Sequence, residues 1–235
     1  MIVLGFDTAT PATVVALLDD AAPAAAAERR HEPAPGERPG HAARLLALAA
    51  ELLGEGGLAF ADVDRIAVGL GPGTFTGLRI GVATARGLAQ ATGAELVGVS
   101  TLRALAAAAE PAAPPGAGVL AVIDARRGEA FAAGWRAGRP ILEQVALAPA
   151  ALAQLIATEG GAWLAVGDGA LRFREDLERA GCTVPEDGSE RHGVSARAVC
   201  RLALEAQEAT ARDLVVPDYL RPPDAVLASR KKPTS

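Results

Sequence analysis

The same order of secondary-structure elements is predicted twice along this chain. An apolar run at residues 1–6, a polar turn at Asp7 and a β-branched run at residues 13–18 predict a hairpin. The pattern recurs from residue 119, around a turn at Asp124. Each hairpin is followed by a third strand and then by a helix, a strand and a helix. Two such α/β units in tandem predict an actin-like or sugar-kinase-like architecture of the ASKHA or ribonuclease H-like class, with a nucleotide cleft between the units.

Helix-breaking residues between the halves mark the predicted domain boundary: Pro111, Pro114, Pro115 and Gly116. We therefore expect an N-terminal subdomain over residues 1–110 and a smaller α/β subdomain over residues 111–235. A last helix, capped by Ser195 and running through Ala209, is expected to pack back on the first subdomain together with the tail.

Composition excludes several classes of function. The net charge is −5 without a basic block in the body of the chain, which argues against broad binding to a nucleic-acid backbone. The tail residues Arg230, Lys231 and Lys232 are either a solvated terminus or an RNA contact. Cys182 and Cys200 lack disulfide or metal-site spacing, and no charge-free apolar stretch reaches membrane-spanning length. The apolar start is too brief for a secretory signal, so we expect a soluble cytoplasmic protein.

Residues 69–79 form the most specific segment, Gly69-Leu70-Gly71-Pro72-Gly73-Thr74-Phe75-Thr76-Gly77-Leu78-Arg79. The segment follows a strand and opens a helix, where backbone N–H groups can hold an anion and Thr74 or Thr76 can serve as N-cap. It lacks the spacing of the usual phosphate-binding motifs. A tight strand-to-helix connection explains the glycines equally well.

The helix that follows carries two rows of small residues. Gly73, Gly77, Gly81 and Ala85 recur every four residues, as do Ala83, Gly87 and Ala91. Residues spaced by four share a face of a helix, and each glycine inside a helix costs about 1 kcal/mol relative to alanine. Close approach of another backbone would explain them. That backbone belongs either to the chain's own domain or to a helix of another subunit.

No catalytic set follows from residue spacing. Asp7 and Asp124 occupy matching turns, and Asp168 stands between two glycines; an aspartate there usually makes a local turn hydrogen bond. The three histidines, His31, His41 and His192, are scattered and indicate surface or helix-end imidazoles.

Four motifs together resemble the TsaB (YeaZ) family of tRNA threonylcarbamoyladenosine biosynthesis proteins. The segment from Gly71 to Arg79 is similar to the family's signature. The opening residues 2–11, residues 119–129 and the sequence Tyr219-Leu220-Arg221 also resemble that family. The resemblance spans nearly the whole chain.

The resemblance implies an actin-like accessory subunit rather than an enzyme. Proteins of this family pair with their paralogue TsaD, which transfers the threonylcarbamoyl group to N6 of adenosine 37 in tRNA, and work with the ATPase TsaE. They form homodimers when TsaD is absent. We therefore expect no catalytic residue, cofactor or metal, contact with tRNA only through the complex, and no membrane association.

Departures from a TsaD-like site agree with that reading. TsaD-like chains carry a pair of metal-binding histidines where Thr101 and Leu105 stand here, and neither residue ligates a metal as imidazole does. A Ser-Gly-Gly phosphate loop corresponds to Asp124-Ala125-Arg126, which places a carboxylate where an anion would bind.

By the resemblance, the first two helices, near residues 41–53 and 76–91, form the interface with TsaD or with a second copy. The predicted interface residues are His41, Leu45, Leu48, Leu52, Thr76, Gly77, Ile80, Gly81, Thr84, Ala85 and Leu88. A vestigial nucleotide site is predicted at Asp7, Thr8, Asp124, Arg126, Gly167, Asp168 and Gly169. Two alternatives stay open: an actin-like ATPase or small-molecule kinase, and a self-sufficient transferase of the TsaD type.

Overall fold

The first half of the chain forms a five-stranded mixed sheet. The computed structural model describes residues 1–34, 36–206 and 208–220; Arg221 and the basic tail lie outside them. The strands are β1 (Ile2–Asp7), β2 (Thr13–Asp19), β3 (Ala27–His31), β4 (Arg65–Gly69) and β5 (Glu95–Val99). They lie in the order β3-β2-β1-β4-β5, antiparallel from β1 to β3 and parallel from β1 to β5 through β4. The helices of this half are α1 (His41–Glu55), α2 (Phe75–Thr92) and α3 (Thr101–Ala109).

The second half repeats that sheet. Its strands are β6 (Gly118–Asp124), β7 (Ala130–Arg136), β8 (Arg139–Leu147), β9 (Trp163–Val166) and β10 (Cys182–Thr183). They lie in the order β10-β9-β6-β7-β8, so β6 takes the central place that β1 has in the first sheet. Its helices are α4 (Pro149–Glu159), α5 (Asp168–Arg172), α6 (Arg174–Arg179) and α7 (Ala196–Glu205). The predicted duplication of element order is confirmed.

Each half contributes a helix to the other half's sheet. Helices α1 and α2 cover one face of the first sheet, and α7 covers the opposite face, where Val199 packs with Val3 and Val14. Close packing of α7 on β1 depends on Gly5, because a β-carbon there would overlap the sulfur of Cys200. Helix α3 packs its residues Leu102 and Leu105 on the second sheet and also contacts α7. The predicted boundary between residues 110 and 111 stays a prediction.

Three helix boundaries differ from those expected. Helix α2 begins at Phe75, earlier than the sequence indicated. The single helix expected after the fourth strand of the second half, at residues 170–180 by its sequence pattern, is two short helices that meet at Phe173. The last helix ends at Glu205 instead of Ala209.

The early end of α7 has a long-range cause. The buried guanidinium of Arg65 donates from Nη1 to the carbonyl oxygen of Ala203 at 2.6 Å. Further along, the N–H of Thr210 donates to the carbonyl oxygen of Leu96 at 2.8 Å, which directs the chain along β5. Within the described part of the chain, no helix combines the length and apolar character needed to cross a membrane.

Candidate functional site

Asp7, at the end of β1, is fully engaged by the chain itself. Its Oδ1 accepts a hydrogen bond from the N–H of Ala9 at 2.7 Å, which is the expected local turn bond. Its Oδ2 accepts from the hydroxyl of Thr101 at 2.6 Å, and that hydroxyl accepts from the N–H of Gly71 at 3.1 Å. Burial raises the pKa of Asp7 to about 6, against the smaller opposing effects of these hydrogen bonds and of Arg30. Thr101 therefore positions the carboxylate of Asp7.

The turn after Asp7 is closed by the start of α2. The N–H of Thr74 donates to the carbonyl oxygen of Ala9 at 2.7 Å, and the hydroxyl of Thr8 donates to the carbonyl oxygen of Gly77 at 2.8 Å. Thr74 stands at the N-cap position without a side-chain capping bond. The N–H group of Thr74 is thus satisfied by the chain's own turn rather than left open to an anion.

The first row of small residues packs inside the chain. A β-carbon on Gly73 would overlap the carbonyl group of Ala9, and one on Gly77 the carbonyl oxygen of Thr8. A β-carbon on Gly81 would overlap the hydroxyl oxygen of Thr8. The sequence left two possible neighbours for this row, and in the structure the neighbour is the chain's own domain.

The second turn is held by arginines. The side chain of Asp124 is 6% exposed and accepts a hydrogen bond from the N–H of Arg126 at 2.8 Å. It also accepts from the guanidinium groups of Arg126 at 3.3 Å and Arg172 at 2.8 Å. The N–H of Asp124 donates to Oδ1 of Asp168 at 3.0 Å, and burial raises the pKa of Asp168. Both aspartates are therefore part of a hydrogen-bonded structure at this turn.

The glycines beside Asp168 allow close packing on β6. Gly167 has φ of +110°, and a β-carbon there would overlap the carbonyl oxygen of Val122. A β-carbon on Gly169 would lie 2.7 Å from the carbonyl carbon of Ile123.

The structure thus has Asp7 and Thr8 at the first turn and Asp124 and Arg126 at the second. The segment from Gly167 to Gly169 lies at the start of α5, against the end of β6. In the described ranges, no three His, Cys, Asp or Glu side chains are grouped closely enough to hold a metal ion.

The predicted interface residues divide into two sets. Six are buried within the chain and present little exposed side chain: His41, Leu45, Leu52, Gly77, Gly81 and Ala85. His41, for example, bonds through Nδ1 to the hydroxyl of Thr13 at 2.8 Å, and burial lowers its pKa. The other five are exposed or half-buried: Leu48, Thr76, Ile80, Thr84 and Leu88.

A largely uncharged surface lies on α1 and α2, which pack side by side. We call it the α1–α2 face and define it by Ala43, Leu46, Ala47, Ala50, Thr76, Ile80, Ala83, Gly87 and Ala91. Leu46 is 45% exposed. The second row of small residues, Ala83, Gly87 and Ala91, is exposed here, and a β-carbon on Gly87 would meet no atom of residues 1–34, 36–206 and 208–220 within 4 Å. The sequence signal for this exposed row was its four-residue spacing, which the buried first row shares.

Two of the four sequence motifs meet beside this face. The ring of Tyr219 lies 5.2 Å from the ring of Phe75, centroid to centroid. The hydroxyl of Tyr219 accepts a hydrogen bond from Nε of Arg79 at 3.1 Å, and the Arg79 guanidinium lies 3.8 Å over the Phe75 ring. Sequence reasoning did not predict this contact, because 140 residues separate Arg79 from Tyr219.

Comparison with solved structures defines the class of protein. The ROK hexokinase from Thermus thermophilus superposes with a TM-score of 0.53 over 87% of this chain and 100% of that chain. Its sequence identity of 15% makes this a likeness of fold alone. The chain therefore has the actin-like ASKHA fold, as the duplicated order of elements predicted.

Closer relatives identify the family. A family model described as TsaD, tRNA N6-adenosine threonylcarbamoyltransferase, matches residues 37–160. The tRNA threonylcarbamoyladenosine biosynthesis protein TsaB of Escherichia coli is 35% identical over 72% of this chain and 72% of that protein. The TsaB of Haemophilus influenzae is 38% identical over 54% of this chain and 51% of its own length. YeaZ from Pseudomonas aeruginosa superposes with a TM-score of 0.74 at 30% identity, over 93% of this chain and 99% of that chain. This chain belongs to the TsaB (YeaZ) family.

Proposed function

We propose that this chain is a non-catalytic subunit of the machinery that makes N6-threonylcarbamoyladenosine at position 37 of tRNA. It pairs with a TsaD-like transferase through the α1–α2 face and works with a TsaE-like ATPase in the cytoplasm. Without the transferase, the same face joins two copies of the chain, and tRNA is contacted only by the complex. The single observation that carries the proposal is the uncharged, exposed α1–α2 face of a chain that belongs to this family.

The pattern of charge on α1 supports a covered face. Its exposed charged residues, Arg44, Glu51 and Glu55, fall on a separate stripe, and Glu55 pairs with Arg29 of β3 at 2.6 Å. The stripe beside α2 instead presents alanines and the exposed side chain of Leu46. Depletion of charge at an exposed apolar patch is typical of a surface that another protein covers.

Small residues on α2 support close approach of a partner helix. Gly87 lies inside the helix, and neither packing against the described residues nor backbone conformation requires a glycine there. Since glycine weakens a helix by about 1 kcal/mol relative to alanine, an outside neighbour gives the residue a physical purpose.

The alternative activities fit the first turn poorly. An ATPase or kinase of this fold needs the turn after β1 to face the nucleotide phosphates. Here the carbonyl oxygen of Ala9 is bonded to α2, and both carboxylate oxygens of Asp7 accept hydrogen bonds within the chain. Calorimetry with Mg-ATP tests this alternative, because micromolar binding with turnover by the isolated chain would favour it.

A reconstituted reaction tests the proposal directly. Threonylcarbamoylation of a substrate tRNA by the TsaD-like and TsaE-like proteins should depend on this chain. An unchanged rate when the chain is left out would contradict the proposal.

A variant of the α1–α2 face tests the interface. Gly87→Leu should keep the isolated chain folded, because the position is exposed and a β-carbon there meets no described atom within 4 Å, yet weaken pairing with the TsaD-like protein more than about tenfold. Gly188→Leu is the matched control, since Gly188 is also open to solvent and lies in the second half. Calorimetric titration measures both, and equal affinities for the two variants would exclude this face.

A further inference from the structure

Arg79 is held by two aromatic side chains at the edge of the α1–α2 face. Its Nε donates to the hydroxyl of Tyr219, and its guanidinium plane lies over Phe75. Arg79 follows Thr76 by three residues and precedes Ala83 by four, so it borders the face on the side of α2 away from α1. Stacking and one hydrogen bond fix the direction in which the remaining N–H groups point.

The end of Arg79 that carries Nη1 and Nη2 has no partner among the residues that the structure describes. Arg86, two turns further along the same flank, differs because it pairs with Asp213 at 2.9 Å. Arg79 is exposed, and no carboxylate of the described chain bonds to it. Among the described residues, this flank of α2 thus has one arginine that pairs with a carboxylate, Arg86, and one that does not, Arg79.

The segment that carries Tyr219 is itself anchored on both halves of the molecule. The N–H of Asp218 donates to the carbonyl oxygen of Leu70 at 2.8 Å. The carboxylate of Asp218 accepts a hydrogen bond from Nε2 of Gln144, on β8, at 2.6 Å. Asp218 is therefore a positioning residue for Tyr219, and Tyr219 for Arg79.

We propose that the TsaD-like partner places an aspartate or glutamate carboxylate on Nη1 and Nη2 of Arg79, and that this contact selects the partner. The inference rests on the proposed function. A guanidinium that becomes buried at an interface without a counter-ion is strongly unfavourable, so a partner covering the neighbouring face has to supply one. The planar fork of arginine suits a carboxylate in the bidentate geometry, and Tyr and Arg are typical of the residues that dominate interface affinity.

Calorimetric titration with the TsaD-like protein tests the contact. Arg79→Gln should weaken binding at least about tenfold at low salt and remove most of the salt dependence that the wild-type chain has. Tyr219→Phe keeps the ring but not the hydroxyl, and should weaken binding a few-fold. Arg86→Gln is the matched control, on the same flank and helix, and should bind within about twofold of wild type.

The outcomes separate this inference from the proposed function. Wild-type affinity and salt dependence for Arg79→Gln, with pairing still weakened in Gly87→Leu, would overturn the inference alone. No pairing by the wild-type chain would overturn both. If Arg79→Gln binds the TsaD-like protein normally but lowers the affinity of the assembled complex for tRNA, the ligand of Arg79 is a phosphate and the inference is wrong. Equal thermal unfolding midpoints for wild type and variants confirm that the comparison concerns binding.

Discussion

At the scale of single residues, the buried carboxylate of Asp7 destabilises the fold when it is charged. Its pKa is 3.8 without burial and about 6 in the folded chain, so the folded state binds a proton more readily than the unfolded state. Charged Asp7 therefore destabilises the fold above about pH 6, and this effect disappears as the pH falls toward 4. A pKa difference of this size corresponds to about 3 kcal/mol in the free energy of unfolding at neutral pH. The carboxylate is thus a weak point of stability that the turn nonetheless retains.

Removing this charge should stabilise the protein. Asp7→Asn can accept from the N–H of Ala9 and donate to the hydroxyl of Thr101, so it should raise the free energy of unfolding by about 1–3 kcal/mol at pH 8. The advantage over wild type should shrink as the pH is lowered toward 4. Urea unfolding at several pH values measures it. Asp19→Asn, an exposed turn aspartate, is the control and should change stability by less than about 0.5 kcal/mol. A loss of stability in Asp7→Asn at pH 8 would contradict the argument.

At the scale of elements, the small residues of α2 have two different roles. The first row of small residues allows contact with the turn after β1, and the second row leaves the α1–α2 face flat. The sequence predicted both rows and the extent of the helix to within a turn. The sequence could not show which row is buried and which is exposed, because both repeat every four residues. The atoms that distinguish the rows, on Thr8 and Ala9, lie more than 60 residues away. The end of α7 escaped prediction for the same reason, since Arg65 acts from 138 residues away.

Two alanine substitutions should separate the rows. Gly87→Ala should raise the free energy of unfolding by up to about 1 kcal/mol, because it adds helix propensity in open space. Gly81→Ala should lower it by about 1–3 kcal/mol, because the new methyl group displaces the hydroxyl of Thr8 from its bond to Gly77. Thermal or urea unfolding of both variants measures these changes in the free energy of unfolding. Changes of the same sign would mean that the rows are not divided as described.

At the scale of the whole molecule, the two halves are interlocked rather than merely joined. Helix α7 comes from the second half and covers the first sheet, while α3 comes from the first half and packs on the second sheet. The sequence predicted two units from their repeated order. The boundary predicted at the proline-rich segment, which lies between α3 and β6, stays a prediction. The sequence led us to expect the last helix on the first subdomain, but local patterns did not indicate that α3 packs on the second sheet, because an amphipathic helix has the same pattern whichever sheet it covers.

The first half should consequently not fold alone. A fragment of residues 1–110 would expose the apolar side chains that α7 covers, among them Val3, Val14 and Leu18. We expect it to give no cooperative urea transition by circular dichroism, and a fragment of residues 111–235 to restore one when added. Cooperative unfolding of the first fragment by itself would mean that α7 is dispensable for the first sheet.

The interlocked helices and the bond from Asp7 to Thr101 also bear on how the molecule meets a partner. Both sheets are held in one arrangement by contacts within the chain, and α1 and α2 lie on one of them. Under the proposed function, the molecule acts as a preformed template, because α1 and α2 take their positions during folding and before association. On that proposal, conformational entropy that a looser subunit would lose on binding is already lost during folding, and more of the contact energy remains as affinity.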